Sequence, residues 1–259
     1  MFKRQGKKAL NYATGLTLYN LLLIGVYPAI SQSMVVAELA DNLPNSVKRV
    51  FGVTSGSGLD CFESYVSTQC LGRVWILVMG VYTISGADAL ISKLVAQGGM
   101  AYLLSSPVGR WQVFSTQIAV LVSGLALMMV LTILGIWAET MFFDIPIKIG
   151  SYFRLGVLGL ALFSAVGAYS IFFSVLFNEE EFTILSASGL TFLFYILDIL
   201  VQLNDRFSRL KNLTIFGWVR PQEVLEGEVP TLPTLGLFGI AIIFITFAGY
   251  IFSQKDLHV

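Results

Sequence analysis

Residues 153–203 read FRLGVLGLALFSAVGAYSIFFSVLFNEEEFTILSASGLTFLFYILDILVQL. Two apolar blocks are parted by one short polar run, Asn178 to Glu181. About 20 helical residues, at roughly 1.5 Å each, cross the roughly 30 Å of a bilayer's hydrocarbon. The stretch therefore predicts a helical hairpin through a membrane, with spans at 153–177 and 183–203. Working outward, the same reading places spans at 9–30 (ending near Pro28), 71–91, 112–137 and 232–252. The first and fifth spans are the least uniformly apolar, which leaves a five-span arrangement as the alternative. The expected fold is an all-α polytopic integral membrane protein with about six transmembrane helices, a single transmembrane domain over 1–259.

Composition supports this class. Of the 259 residues 56% are hydrophobic and 12% charged, roughly half the charged fraction of a soluble domain. The mean hydropathy is +0.77. Sixteen basic residues balance sixteen acidic ones, so nothing favours a nucleic-acid partner. Twenty phenylalanines and ten tyrosines suit lipid-facing and interfacial surfaces. The N-terminus is basic but has no small-residue cleavage site, so it reads as a retained first helix.

Orientation rests on Lys3, Arg4, Lys7 and Lys8, which precede the first span with no acid among them. The excess of positive charge on the cytoplasmic side predicts a cytoplasmic N-terminus. Six spans then put the C-terminus on the same side. Residues 1–8 read as a basic cytoplasmic interfacial segment and 204–231 as an extracellular segment, although Arg206, Arg209, Lys211 and Arg220 argue against the latter placement. The small residues Gly156, Gly159, Ser164 and Ala168 predict close helix packing.

The chemistry is sparse. One histidine, His258, and two cysteines, Cys61 and Cys70, provide no soft metal set. Nine residues apart, the cysteines would lie about 180° apart on a helix, which disfavours a disulfide there; in a loop one could form. No GxSxG, HExxH or phosphate-cradling GxxxxGK[ST] occurs, so no catalytic, cofactor or metal residues are assigned and any ATP hydrolysis is expected in a separate partner. No TVGYG-like filter is present. Asp198 is the candidate intramembrane functional residue. The competing reading puts it at the interface, one helical turn from Gln202. Asp88 reads either as a charge ending the second span or as an N-cap of the next short helix. Glu139 and Arg154 read as solvated charges flanking the loop 138–152. Glu179, Glu180 and Glu181 read as favourable charges at a helix N-terminus or as partner contacts.

Between the second and third spans lies SKLVAQGGMAYLLSSPVGRW, residues 92–111. Leu94, Met100, Ala101 and Leu104 form an apolar stripe, as in a short helix lying at a membrane surface or in a protein groove. Pro107 stops it, and Arg110 with Trp111 marks re-entry into the bilayer. The piece GGMAYLLSSPVGR resembles the cytoplasmic turn of ABC-2 type (export-type) ABC transporter permease subunits, which reads LLSxPxSR. Gly98, Leu103, Leu104, Ser105, Pro107 and Arg110 fall on that pattern, and FSQKDL at 252–257 is similar to the family's ending. Gly109 stands where serine is common, and Leu94, Ala96, Gln97 and Ala101 stand where the family carries acids.

The resemblance implies a cytoplasmic coupling helix within 88–107. ATPase-coupling residues would be Gly98, Met100, Leu103, Leu104, Ser105, Pro107 and Arg110. It implies a membrane-spanning permease subunit of an ATP-driven exporter in a bacterial or archaeal cytoplasmic membrane. Its partners would be ABC ATP-binding subunits and a second copy or a related permease, with ATP bound on the partner. The alternative is an ion-coupled secondary carrier or a non-transporting membrane scaffold.

Overall fold

The structure is a computed structural model that describes residues 2–31, 62–67, 71–99, 109–177, 179–203 and 213–254. Cys61, Cys70 and the segment 204–212 lie outside the described residues. The helices, in chain order, are α1 (Phe2–Ser31), α2 (Phe62–Tyr65), α3 (Arg73–Leu90), α4 (Ser92–Ala96), α5 (Arg110–Phe142), α6 (Ile149–Phe177), α7 (Glu180–Leu203), α8 (Pro221–Glu226) and α9 (Thr231–Gln254), with a 3-10 turn at Phe216–Trp218. Six of these segments are long and apolar enough to cross a membrane: α1, α3 with α4, α5, α6, α7 and α9.

Successive long helices reverse direction. The terminal face of the bundle gathers the starts of α1, α5 and α7 with the ends of α4, α6 and α9. The distal face gathers the opposite ends and residues 213–230. Side-chain contacts fix this arrangement. At the terminal face Phe114 of α5 stacks on Phe252 of α9, with ring centroids 5.4 Å apart. At the distal face Tyr27 of α1 packs on Phe62 of α2, at 5.1 Å.

Helix α6 is the core, packed against α3, α5, α7, α8 and α9. The reason lies in its small residues, which let neighbours approach closely. A Cβ on Gly159 would stand 2.9 Å from the Trp75 ring, and one on Gly167 would stand 2.9 Å from Leu121. Several hydroxyls inside the bundle return to their own helix. Ser170 donates to the carbonyl of Val166 at 2.7 Å, Thr132 to Met128 at 2.9 Å and Thr83 to Met79 at 2.6 Å. This satisfies the hydroxyls without water.

Helix ends differ from the expected ones where polar residues continue a helix. Pro28 lies inside α1, which runs on to Ser31. Helix α5 has 33 residues and extends to Phe142, about 50 Å at the α-helical rise. Residues 2–8 are the first turns of α1. At the distal face residues 213–230 pack back onto the bundle. Phe216, Val224 and Leu225 are buried, Phe216 meets Tyr195 of α7 edge-on, and Arg154 donates to the carbonyl of Gly227 at 2.8 Å.

Candidate functional site

The richest polar junction among the described residues lies at the terminal face, where α3, α4, α6 and α7 meet. It begins with a break in the backbone. At Ile91 the chain leaves helical geometry (φ −126°, ψ −75°), and the Ile91 amide bonds to the Asp88 carbonyl at 3.3 Å. The Ser92 amide instead donates to the Ser174 hydroxyl of α6 at 2.9 Å. A side chain from another helix thus fills the gap in the ladder, one of the recognised origins of a helix bend.

The hydroxyls continue the chain of bonds. Ser174 Oγ donates to Ser92 Oγ at 3.0 Å, and Ser92 Oγ donates to Asp88 Oδ1 at 2.5 Å. Asp88, Ser92 and Ser174 are all buried. The carboxylate is the terminal acceptor of a three-residue relay, a bond type stronger than one between neutral groups. Asp88 lies within α3 and binds a hydroxyl. Position N-cap of α4 belongs to Ile91, which makes no side-chain cap bond. The N-cap alternative for Asp88 is therefore overturned: the backbone turns three residues later than a cap would require.

At the rim, Lys93 of α4 pairs with Glu180 of α7 at 2.7 Å, with side chains 32% and 41% exposed. Glu180 and Glu181 occupy the first turn of α7, where the helix dipole favours negative charge. Helix α4 is thus tied to α3 by Asp88, to α6 by Ser174 and to α7 by Glu180. A displacement of α4 would be felt by three long helices.

Of the residues singled out in the sequence, Gly98 and Arg110 are described at this face of the bundle. Gly98 follows the last turn of α4 with φ +68°, a left-handed conformation that glycine adopts without a Cβ penalty and that ends helices. Arg110 opens α5, and its Nη1 donates to the Ser253 carbonyl of α9 at 3.3 Å. Gly98 and Arg110 therefore bracket the stretch that carries the family-like pattern. Met100, Leu103, Leu104, Ser105 and Pro107 lie outside the described residues. Asp198 is not part of the junction: it lies near the distal end of α7 and accepts a bond from Gln202 Nε2 at 2.7 Å.

Two residues unmarked by motif matter most here, Ser92 and Ser174. Each is a lone serine next to apolar sequence, a pattern shared with ordinary packing serines. Glu139 departs from its solvated reading: it is 4% exposed, because α5 continues past it and packs against α1. Among the described residues no group of three His, Cys, Asp or Glu is placed to hold a metal ion. The chain matches no protein-family model, no curated protein and no solved structure.

Proposed function

We propose that the chain is the membrane-spanning permease subunit of an ATP-driven ABC exporter, coupling a separate ATPase to substrate translocation. The carrying observation is the anchorage of α4. A short helix at the terminal face is bonded to α3, α6 and α7 immediately before the stretch that resembles an ABC-2 coupling turn. A push on residues 98–110 by a partner ATPase would pass through α4 into three spans. Translocation then needs only that ATP and substrate stabilise the bundle's arrangements differently.

The surface of α7 supports pairing with a second copy or a related permease. Only 6% of its apolar window is buried within the chain, against 67% for α6. The coupling stretch has no charge between Gln97 and Gly109, so docking would rest on apolar fit in a groove. Such docking should persist at high salt, which screens charge pairs.

The test is co-purification with candidate ATPases followed by an ATPase assay in proteoliposomes. Substrate-stimulated ATP hydrolysis should be lost in a Leu103→Ser, Leu104→Ser variant that still folds and inserts. Unchanged stimulation in that variant would refute the coupling role of this stretch.

A further inference from the structure

At the distal face, α1 and α5 run parallel and in contact. Thr17 packs on Gly135, and Phe143 packs on Gly25. Both contacts share one offset, 118 positions (17 with 135, 25 with 143). Gly135, Glu139 and Phe143 are spaced by four and so share one face of α5. Glu139 therefore sits between the two contacts, facing α1. By the same offset Asn20 falls level with position 138, beside it.

Both side chains are enclosed. Asn20 is 1% exposed and Glu139 is 4% exposed. Among the described residues, both carboxylate oxygens of Glu139 and both amide atoms of Asn20 lack a hydrogen-bond partner. Four orphaned polar atoms at one level of the α1–α5 seam are unusual, because buried polar groups in folded proteins are nearly always satisfied. Among the described side chains no charge compensates. Helix α1 carries no charged residue between Ala9 and Pro28, and α9 carries none along its length. On α6, Arg154 is engaged with Gly227. Asp144 and Lys148 beyond α5 are exposed. Titratable tyrosines near this level are Tyr19 on α1 and Tyr152 on α6. The described ion pairs, Lys93–Glu180 and Arg220–Glu223, lie elsewhere.

We infer that Glu139, with Asn20 beside it, is a proton-binding site enclosed between α1 and α5. An ionised, unpaired carboxylate in such surroundings is far costlier than the neutral acid. Protonation also gives the acid an O–H that can donate to Asn20 Oδ1 once a small side-chain rotation brings the two, unbonded in this arrangement, within reach. The carboxylate lacks that donor. A metal cation fits poorly, since the pair offers three oxygens and calcium takes about six to eight. Proton exchange requires water to reach Glu139, so it is linked to a parting of α1 from α5. This goes beyond the permease reading and stands without it.

Infrared spectroscopy of the full chain in lipid at neutral pH tests the site. The expected result is a protonated-carboxyl carbonyl band that is completely lost in Glu139→Gln and shifted in Asn20→Leu. Loss of ionised-carboxylate absorbance alone in Glu139→Gln would overturn the inference. A second measurement needs no variant. Dicyclohexylcarbodiimide, an apolar reagent across whose C=N bond a protonated carboxyl adds to give an O-acylisourea and then a stable N-acylurea, should modify Glu139 in the wild-type chain, read by peptide mass spectrometry. An unmodified Glu139 after exposure in detergent, with α1 and α5 free to part, would count against it.

Discussion

Asp88 and Glu139 are both carboxylates near the C-terminal end of a long helix, and both are buried, at 3% and 4% exposure. Their surroundings differ in one respect. Asp88 ends a relay from Ser174 and Ser92, whereas neither oxygen of Glu139 has a partner among the described residues. The helix dipole disfavours negative charge at both places, so neither residue is there to complement its own helix. Burial therefore does not separate the two; the supply of donors does. Asp88 acts as a clasp across the α3–α4 break. Glu139 has no such donor among the described residues, and that is the setting from which its proton-binding role is inferred.

The largest effect that tests this contrast is expected at the clasp. Asp88→Leu removes the carboxylate acceptor of the buried Ser92 hydroxyl, which keeps only the longer bond to the residue-88 carbonyl at 3.4 Å, at a cost of about 1–3 kcal/mol. Asp88→Asn keeps a side-chain oxygen for Ser92 and should recover most of that loss. Unfolding by SDS titration in mixed micelles measures both. Equal stability of the Asp88→Leu variant and the wild type would show that the relay carries no stability. A smaller effect is expected at the distal pair. Asn20→Leu combined with Glu139→Leu replaces both polar side chains by apolar ones and should leave stability unchanged or raise it by about 1 kcal/mol, since exchanging both partners together strands neither. A loss as large as that of Asp88→Leu in the same titration would mean that the distal pair holds the fold as the relay does, and the contrast with Asp88 would fall.

The long helices were legible because hydrophobic length is a local property. The blocks around Asn178–Glu181 announce α6 and α7 whatever the rest of the chain does. The 3.6-residue spacing alone joins Asp198 to Gln202, and both belong to one helix. The polar sites were not legible, because they are made by pairs distant in sequence. Ser92 and Ser174 are 82 positions apart, and nothing near Ser174 distinguishes it from Ser164 or Ser170. Glu139 looked like a loop-end charge because Thr140 follows it and Asp144 is close. Only the continuation of α5 to Phe142 and the parallel seating of α1 enclose it. The centrality of α6 was partly legible in its glycines, but which neighbour fills each notch was not. Trp75 and Leu121, which occupy the notches at Gly159 and Gly167, come from α3 and α5.

The smallest effect concerns the rim of the same junction, and it separates the clasp from its surroundings. Lys93 and Glu180 form a close pair at 2.7 Å, but their side chains are 32% and 41% exposed. Solvent screening and the entropy of two long side chains leave such pairs about 0–1 kcal/mol. A double-mutant cycle with Lys93→Ala and Glu180→Ala should therefore give a coupling energy below about 1 kcal/mol. The coupling should shrink further as salt is raised from roughly 0.1 M to 1 M, where the Debye length falls from about 10 Å to about 3 Å. Destabilisation by Asp88→Leu should not change over the same range, because its partners are buried and screened little. A Lys93–Glu180 coupling as large as the Asp88→Leu loss and insensitive to salt would mean that α4 is held mainly by the rim pair. In that case a partner engaging α4 would act first on α7, and only secondarily on α3 and α6.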